Sequence, residues 1–147
     1  MIALSRTNQK ILILTLCSTL LLITVLFFQY KLGLMPCKLC IWQRIPHVVA
    51  ILLGTLALIS QTFRLAMCFG SSVAILSGCF IAGYHVGIEF DFWLGPKSCS
   101  GSDIPLTLTA ELYLEAILKA PMPRCDEIAW SFLQISMAGW NFLISIL

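Results

Sequence analysis

The sequence predicts an all-α membrane protein, a bundle of four transmembrane helices with a short amphipathic surface helix in its second outer loop. Of the 147 residues, 59% are hydrophobic and 11% are charged, which is too apolar for a soluble domain of this length. Long uncharged runs can each cross a bilayer, and all seven acidic residues fall within 89–127. A net charge of +2 gives no reason to expect a nucleic-acid partner, so we predict a single membrane domain, 1–147.

Apolar runs and polar turns set the bounds of the spans and of the two outer loops. We predict spans at about 11–29, 41–59, 65–88 and 128–147, with outer loops at about 30–40 and 89–127. Arg6 and Lys10 precede the first run, as in a signal peptide, but no small-residue cleavage site follows. We therefore expect the first span to be retained. Pro46 lies early in the second span and removes one helical hydrogen bond, which membrane helices tolerate.

The long outer loop and the last span each carry a distinctive pattern. Pro105 and Pro121 bracket residues 106–120, where apolar side chains recur at helical spacing. This spacing predicts an amphipathic helix that lies on the membrane surface. In the fourth span, Gln134 and Asn141 interrupt an otherwise apolar run of about the length that a membrane requires.

The seven cysteines divide into two groups. Three fall in apolar runs and are predicted to be small packing residues: Cys17, Cys68 and Cys79. Four fall in loops or at membrane edges: Cys37, Cys40, Cys99 and Cys125. An even number of such cysteines suggests two pairs facing an oxidising compartment.

The cysteines, and not the positive charges, orient the chain. Four spans place both termini on one side and both outer loops on the other. Three of the nine Lys and Arg residues lie on the terminal side and six on the loop side. The positive-inside rule would therefore favour the opposite orientation. We place the loops outside because paired cysteines need an oxidising environment.

The Cys-x-x-Cys motif at residues 37–40 lies between two apolar runs, at the edge of the membrane. Only a thiolate attacks a disulfide or a quinone. Cys40 is predicted to be this thiolate, because it lies near the N-terminus of the second helix and one turn before Arg44. The Arg44 guanidinium can also hold a carbonyl oxygen that gains negative charge during reduction.

Two other interpretations of these cysteines are open. A Cys-x-x-Cys motif is half of many zinc sites, but a second such motif would be usual and Cys99 and Cys125 are too far apart to form one. We therefore expect no metal. Two structural disulfides without catalytic function are the second alternative.

The chain resembles the DsbB family, the bacterial membrane enzymes that reoxidise a periplasmic dithiol oxidase and pass the electrons to quinone. The resemblance covers nearly the whole chain. It rests on Pro-Cys-x-x-Cys-x-x-x-Arg at 36–44, four spans, and a long second loop with one cysteine pair. Gly-Tyr-His-Val-Gly-Ile-Glu at 83–89 and Ala-Gly-Trp-Asn at 138–141 are also similar to the family.

This resemblance implies a place and a partner for the chain. The place is the bacterial inner membrane, with the active-site loops in the periplasm. The partner is a DsbA-like oxidase of thioredoxin fold, and the acceptor is ubiquinone or menaquinone. A monomer is expected.

The resemblance also assigns the four cysteines and Arg44. Cys37 and Cys40 would be the quinone-coupled pair, with Cys40 facing the quinone and Arg44 binding it. Cys99 and Cys125 would be the pair presented to the partner. The partner's thiolate would attack Cys99, and the freed Cys125 would then attack Cys37.

Three further ionisable residues are candidates for the quinone site. His85 and Glu89 lie one turn apart near the outer end of the third span, where either could relay protons. Equally, they could pair with each other or with Arg44. His47, one turn deeper than Arg44, is the third candidate, and its alternative is a hydrogen-bonded histidine inside the bundle.

Two rival functions differ in the position or the use of the cysteines. The vitamin K epoxide reductase family also joins four helices, Cys-x-x-Cys and a quinone, but its motif normally falls late, near the last helix. Here the motif opens the second span. A non-enzymatic membrane protein with structural disulfides or a bound metal is the other rival.

Overall fold

Three long apolar runs of the chain form three long helices. The computed structural model describes residues 6–96, 99, 109, 111–112 and 123–146. Its elements in chain order are α1 (Arg6–Lys31), α2 (Lys38–Ile59), α3 (Arg64–Glu89), β1 (Ser131–Phe132), β2 (Ile135–Ser136) and α4 (Met137–Ile146). The first three helices are long and apolar enough to cross a membrane, and α4 is shorter. The amphipathic helix predicted at 106–120 lies outside the described residues, apart from 109, 111 and 112.

The helices pack in sequence order, α1 on α2, α2 on α3, and α3 on α4. Small residues stand where neighbouring helices meet. A side chain on Gly54 of α2 would collide with Thr15 of α1, and one on Gly78 of α3 would press against Pro46 of α2. Glycine therefore permits the close approach of helices on which packing in a membrane depends. Large apolar side chains such as Phe69 and Phe80 face outwards, as a lipid environment requires.

The fourth predicted span, 128–147, needs correction, because the helix in this region begins only at Met137. Ser136 lies at the N-cap position, where its Oγ accepts a hydrogen bond of 3.0 Å from the Gly139 backbone N–H. The same hydroxyl donates to Glu89 Oε2 at the end of α3. Serine is a favoured N-cap residue because it satisfies a free N–H of the first turn, so the cap determines where α4 starts.

A small β-hairpin fills the region before α4. Ser131 pairs with Ser136 and Phe132 pairs with Ile135 in an antiparallel ladder. The two residues between the strands, Leu133 and Gln134, have φ values of 51° and 64°. Two-residue hairpin turns favour such positive values, because they match the twist of the strands.

Aromatic rings hold the hairpin against the bundle. The Trp130 ring lies 4.6 Å from the Phe28 ring of α1, centroid to centroid, and stacks on Phe132 at 6.2 Å. The Trp140 indole N–H donates to the Phe132 carbonyl at 3.1 Å. In the hairpin itself, Phe132 stands opposite the β-branched Ile135, and a cross-strand pair of this kind stabilises antiparallel strands.

The contact between Gly54 and Thr15 gives a stability prediction. Gly54→Ala would place a Cβ against Thr15 Oγ1, and overpacking of this kind costs about 1–3 kcal/mol. We expect a lower temperature of thermal unfolding in detergent. When Thr15 is already alanine, adding Gly54→Ala should lower the unfolding temperature much less, since the colliding oxygen is gone.

Gly70→Ala is the matched control, because the added Cβ would meet only the flexible end of Leu53. The packing account would be contradicted if Gly54→Ala were no less stable than Gly70→Ala. It would also be contradicted if Gly54→Ala lowered the unfolding temperature as much in the Thr15→Ala background as in the unmodified protein.

Candidate redox site

Cys37 lies at the N-cap of α2, so its sulfur is at the positive end of that helix. Its backbone is extended, with φ −70° and ψ 172°. Its Sγ accepts a hydrogen bond of 3.2 Å from the Cys40 backbone N–H. The Cys40 Sγ is 2.9 Å from the Cys37 Sγ, and both thiols are free in this structure. Cys37 is buried, whereas Cys40 is partly exposed.

The structure favours Cys37 as the thiolate of the reduced pair, where the sequence predicted Cys40. The hydrogen bond from the Cys40 thiol is the largest cause that lowers the pKa of Cys37. Burial raises this pKa, and the hydrogen bond and charge of His85 lower it again, to about 4 from an ordinary value of 9.0. A smaller contribution comes from the start of α2 at Lys38, which brings the Cys40 backbone N–H to the Cys37 sulfur.

The second pair of cysteines lies beside the first. A disulfide joins Cys99 to Cys125 across a sequence separation of 26, with the Cα atoms 5.1 Å apart. Both residues are buried in one apolar cluster that also contains Cys37, with Cys40 packed against it. The four cysteines that the sequence predicts in loops or at membrane edges therefore lie together in the structure. The remaining three are free thiols on the long helices: Cys17, Cys68 and Cys79.

His85 of α3 contacts the first cysteine pair. Its Nε2 lies 3.6 Å from Cys37 Sγ and 3.9 Å from Glu89 Oε1. Its Nδ1 lies 2.8 Å from Gln43 Nε2. The Gln43 Oε1 already accepts a hydrogen bond of 2.7 Å from Asn141 Nδ2. Gln43 therefore donates to His85 Nδ1, and this arrangement leaves the imidazole proton on Nε2, facing Cys37.

The same polar chain continues to the second histidine. His47 Nε2 lies 2.9 Å from Asn141 Oδ1, and His47 Nδ1 lies 3.4 Å from the Ser18 hydroxyl. Residues from all four helices thus form one chain of hydrogen bonds inside an apolar bundle. Sequence reasoning did not identify Gln43 and Asn141 as site residues. Their polarity within apolar runs was the available signal.

A cavity of about 440 Å³ lies beside Cys40, between α1, α2, α4 and the hairpin. Its volume is in the range of small-molecule sites, about 300–1,000 Å³. The wall is largely apolar, and it includes polar, ionisable and cysteine side chains: Thr24, Cys37, Cys40, Gln43, Arg44, His47 and Asn141. Arg44 Nη1 donates a 2.6 Å hydrogen bond to Gln29 Oε1 of α1, which fixes the guanidinium near the cavity.

Two of the predicted quinone-site residues line this cavity and two do not. Arg44 and His47 are part of its wall. His85 lies behind it, against Cys37. Glu89 accepts the hydrogen bond of Ser136 and lines a smaller cavity of about 200 Å³. Arg44 and His47 therefore line the cavity, whereas His85 contacts Cys37 and Glu89 lies next to His85.

One set of side chains in the described part of the chain has the geometry of a metal site. The ligand atoms of Cys37, Cys40 and His85 all lie within 4.8 Å of one another. The sequence had led us to expect no metal here.

The low pKa of Cys37 gives a pH prediction for the reduced protein. Because the pKa is lowered, the thiolate persists as the pH falls below neutrality and is lost only near about pH 4. We expect the alkylation rate of Cys37, followed by mass spectrometry of the labelled peptide, to change little down to that range. In the denatured chain the same peptide should react mainly near its ordinary pKa of 9.0.

Cys40→Ala should raise the pH at which Cys37 loses its reactivity, since it removes the hydrogen bond that contributes most. Cys68→Ala, on α3 and away from the pair, is the control and should leave the profile unchanged. A Cys37 profile that is the same in the native and the denatured protein would refute this assignment of the thiolate.

Comparison with known proteins agrees with the geometry. The sequence profile of a family described as "Disulfide bond formation protein DsbB" matches residues 7–147. A protein named disulfide bond formation protein B from Pasteurella multocida is 34% identical over 125 residues, which is 81% of this chain and 68% of that protein. A protein of the same name from Mannheimia succiniciproducens is 31% identical over 136 residues, covering 88% of this chain and 74% of the relative. No solved structure matches the chain significantly. The chain belongs to the DsbB family.

Proposed function

We propose that this protein is a quinone-dependent thiol oxidase of the bacterial inner membrane that reoxidises a DsbA-like periplasmic oxidase. The observation that carries the proposal is the single cluster of four cysteines beside a cavity lined by Cys40 and Arg44. Relatives named for disulfide bond formation support it. The three long apolar helices fit a multi-pass membrane protein.

Electrons would enter at the loop disulfide. A thiolate of the reduced partner attacks Cys99, forms a mixed disulfide and releases Cys125 as a thiolate. Resolution by the second thiol of the partner releases the oxidised partner, whereas attack of Cys125 on Cys37 moves the reducing equivalents inwards. The shared cluster supports this second step, because Cys125 and Cys37 are both buried in it. When Cys125 attacks an oxidised Cys37–Cys40 pair, Cys40 leaves as a thiolate.

Electrons would leave through Cys40, which lines the cavity. A bound quinone would supply an acceptor for two electrons and two protons. Cys99, freed when the second thiol of the partner resolves the mixed disulfide, attacks Cys125 and releases Cys37 as a thiolate. Re-forming the Cys37–Cys40 disulfide then gives up two electrons, which the quinone would accept together with two protons. Arg44 is placed to bind an oxygen that gains negative charge, and its guanidinium stays protonated throughout. His85 holds a proton on Nε2 against Cys37 and so stabilises that thiolate until the bond forms.

The cavity fits a quinone in size and in the distribution of its polar groups. Its volume of about 440 Å³ is adequate for a quinone ring and part of an apolar tail. Its wall presents Arg44 and His47, which can contact ring oxygens, and most of its other residues are apolar. Either ubiquinone or menaquinone fits this description.

Redox energetics favour a quinone over a soluble thiol acceptor. A DsbA-type partner has a potential of about −120 mV, and glutathione pools lie well below this value. About 30 mV corresponds to about 1.4 kcal/mol for two electrons, so transfer to glutathione disulfide would be uphill. The acceptor in this proposal is therefore the quinone of the membrane. We further propose that both outer loops face the periplasm and that the chain acts as a monomer.

Quinone reduction by the purified protein tests the proposal. With a reduced DsbA-type protein as donor and a soluble ubiquinone analogue as acceptor, we expect the quinone absorbance to fall. Cys40→Ser should abolish turnover, because the sulfur next to the cavity is lost. Cys68→Ser, at a free thiol of α3, is the control and should retain it. Absence of turnover in the unmodified protein, or full turnover in Cys40→Ser, would contradict the proposal.

Arg44→Ala separates binding of the quinone from attack by the partner. We expect the apparent KM for quinone to rise about tenfold or more, since a hydrogen bond to a charged group contributes about 1.5–3 kcal/mol. The rate at saturating quinone and the KM for the partner should change much less. Arg64→Ala, at the opposite end of the bundle, is the control. A defect that saturating quinone does not relieve would exclude a binding role for Arg44.

A further inference from the structure

We propose that the reduced Cys37–Cys40 pair and His85 form a site for a soft divalent cation of the Zn²⁺ class, and that this site is lost when the pair is oxidised. The three ligand atoms lie within 4.8 Å of one another. Two thiolates and one imidazole are a common donor set for Zn²⁺. The proposal concerns a second, inhibitory use of the same sulfurs and is not a step of the redox reaction.

The distances require little adjustment. With Zn–S of about 2.3 Å and Zn–N of about 2.0–2.1 Å, tetrahedral ligand atoms stand about 3.5–3.8 Å apart. Cys37 Sγ and His85 Nε2 already stand 3.6 Å apart. The two sulfurs, 2.9 Å apart, would separate by less than about 1 Å. Cys40 is on the first turn of α2 and only partly buried, so its side chain can make this movement.

The surroundings of His85 supply what a metal ligand requires. A ligating histidine commonly gives its other ring N–H to a hydrogen-bond acceptor. Gln43 lies 2.8 Å from His85 Nδ1, and its Oε1 becomes that acceptor if the Gln43 and Asn141 amides both turn over. Gln43 Nε2 then donates to Asn141 Oδ1, and Asn141 Nδ2 donates to His47 Nε2, so the polar chain stays satisfied.

Charge and access also favour the ion. Two thiolates neutralise a divalent cation, so the buried site carries no net charge, whereas a lone buried cation would be costly. Both cysteines line the cavity of about 440 Å³, which offers an entry path. Binding displaces the thiol protons that are still present and transfers no electrons. A Cys37–Cys40 disulfide has no thiolate to offer, so oxidation removes the site.

If the proposed function is correct, the bound cation inhibits the enzyme by trapping the reduced pair. The bound cation would slow electron transfer from Cys40 to the quinone, but it would not slow the attack of the partner on Cys99. This consequence rests on the proposed function, but the binding itself does not.

The test uses full-length protein in detergent with Co²⁺ alone as the probe. Cys99→Ser/Cys125→Ser removes the second redox pair, and the protein is reduced with a phosphine in the absence of quinone. We expect the reduced protein to bind one Co²⁺, with thiolate-to-metal charge-transfer absorption and the visible bands of a tetrahedral ion. The oxidised protein should show neither.

Variants of the two histidines identify the third ligand. His85→Gln should weaken Co²⁺ binding by about tenfold or more, as expected when a residue that sustains a metal site is lost. His47→Gln, whose imidazole is not one of the three ligand groups, should bind Co²⁺ as the parent protein does. X-ray absorption of the zinc-loaded parent protein should show two sulfur ligands and one imidazole, which keeps the test decisive if His85→Gln does not fold.

The proposal is overturned if the reduced protein binds no Co²⁺ or if binding survives oxidation. It is also overturned if X-ray absorption of the zinc-loaded protein shows no imidazole ligand. Quinone turnover, measured separately with a chelator present, reports on the proposed function alone. Loss of turnover with intact Co²⁺ binding would refute only that function, and the reverse result would refute only the metal site.

Discussion

The contact of the Cys37 sulfur with the first turn of α2 is the interaction on which the rest of the site depends. This sulfur accepts the Cys40 backbone N–H at 3.2 Å, lies 2.9 Å from the Cys40 sulfur and 3.6 Å from His85 Nε2. Each partner stabilises negative charge on Cys37, against the burial that opposes it. The helix start, the redox pair and the histidine are thus linked through one atom, and none can move without changing the reactivity of that sulfur.

The polar chain from Ser18 to His85 explains how this site is held within an apolar bundle. A buried polar group without a partner is costly, and the cost rises where water is absent. Here Gln43 and Asn141 satisfy each other and both histidines. The chain also ties α4, the shorter helix, to α2, and the Ser136–Glu89 hydrogen bond ties its start to α3. The elements that line the cavity are therefore positioned by the same hydrogen bonds that orient His85.

Hydropathy was sufficient to predict the three long helices, because each contains one long apolar run. The cysteine pattern and Arg44 were sufficient to identify the four cysteines of the cluster and one charged residue of the cavity wall, but not Gln43 and Asn141. The thiolate was assigned to Cys40 and not to Cys37 because the predicted helix start was at 41, whereas α2 begins at Lys38. A shift of less than one turn was enough to bring the helix end to the other sulfur.

Other features depended on contacts that no local pattern contains. The start of α4 depends on a hydrogen bond between Ser136 and Glu89, which are 47 positions apart. Gln43 and Asn141, 98 positions apart, acquire their role only when α2 and α4 pack together. The hairpin at 131–136 depends on rings from Phe28 and Trp140 as much as on its own residues.

The central claim is that the four cysteines form one internal relay, and trapping of its middle step tests it most directly. In Cys40→Ser/Cys99→Ser, only Cys37 and Cys125 of the four can react. Mild oxidation should then join them within one molecule, and peptide mass spectrometry should find the Cys37–Cys125 disulfide in high yield, with little linkage to Cys17, Cys68 or Cys79. If both thiols stayed free, or joined only between molecules, the relay through this cluster would be contradicted.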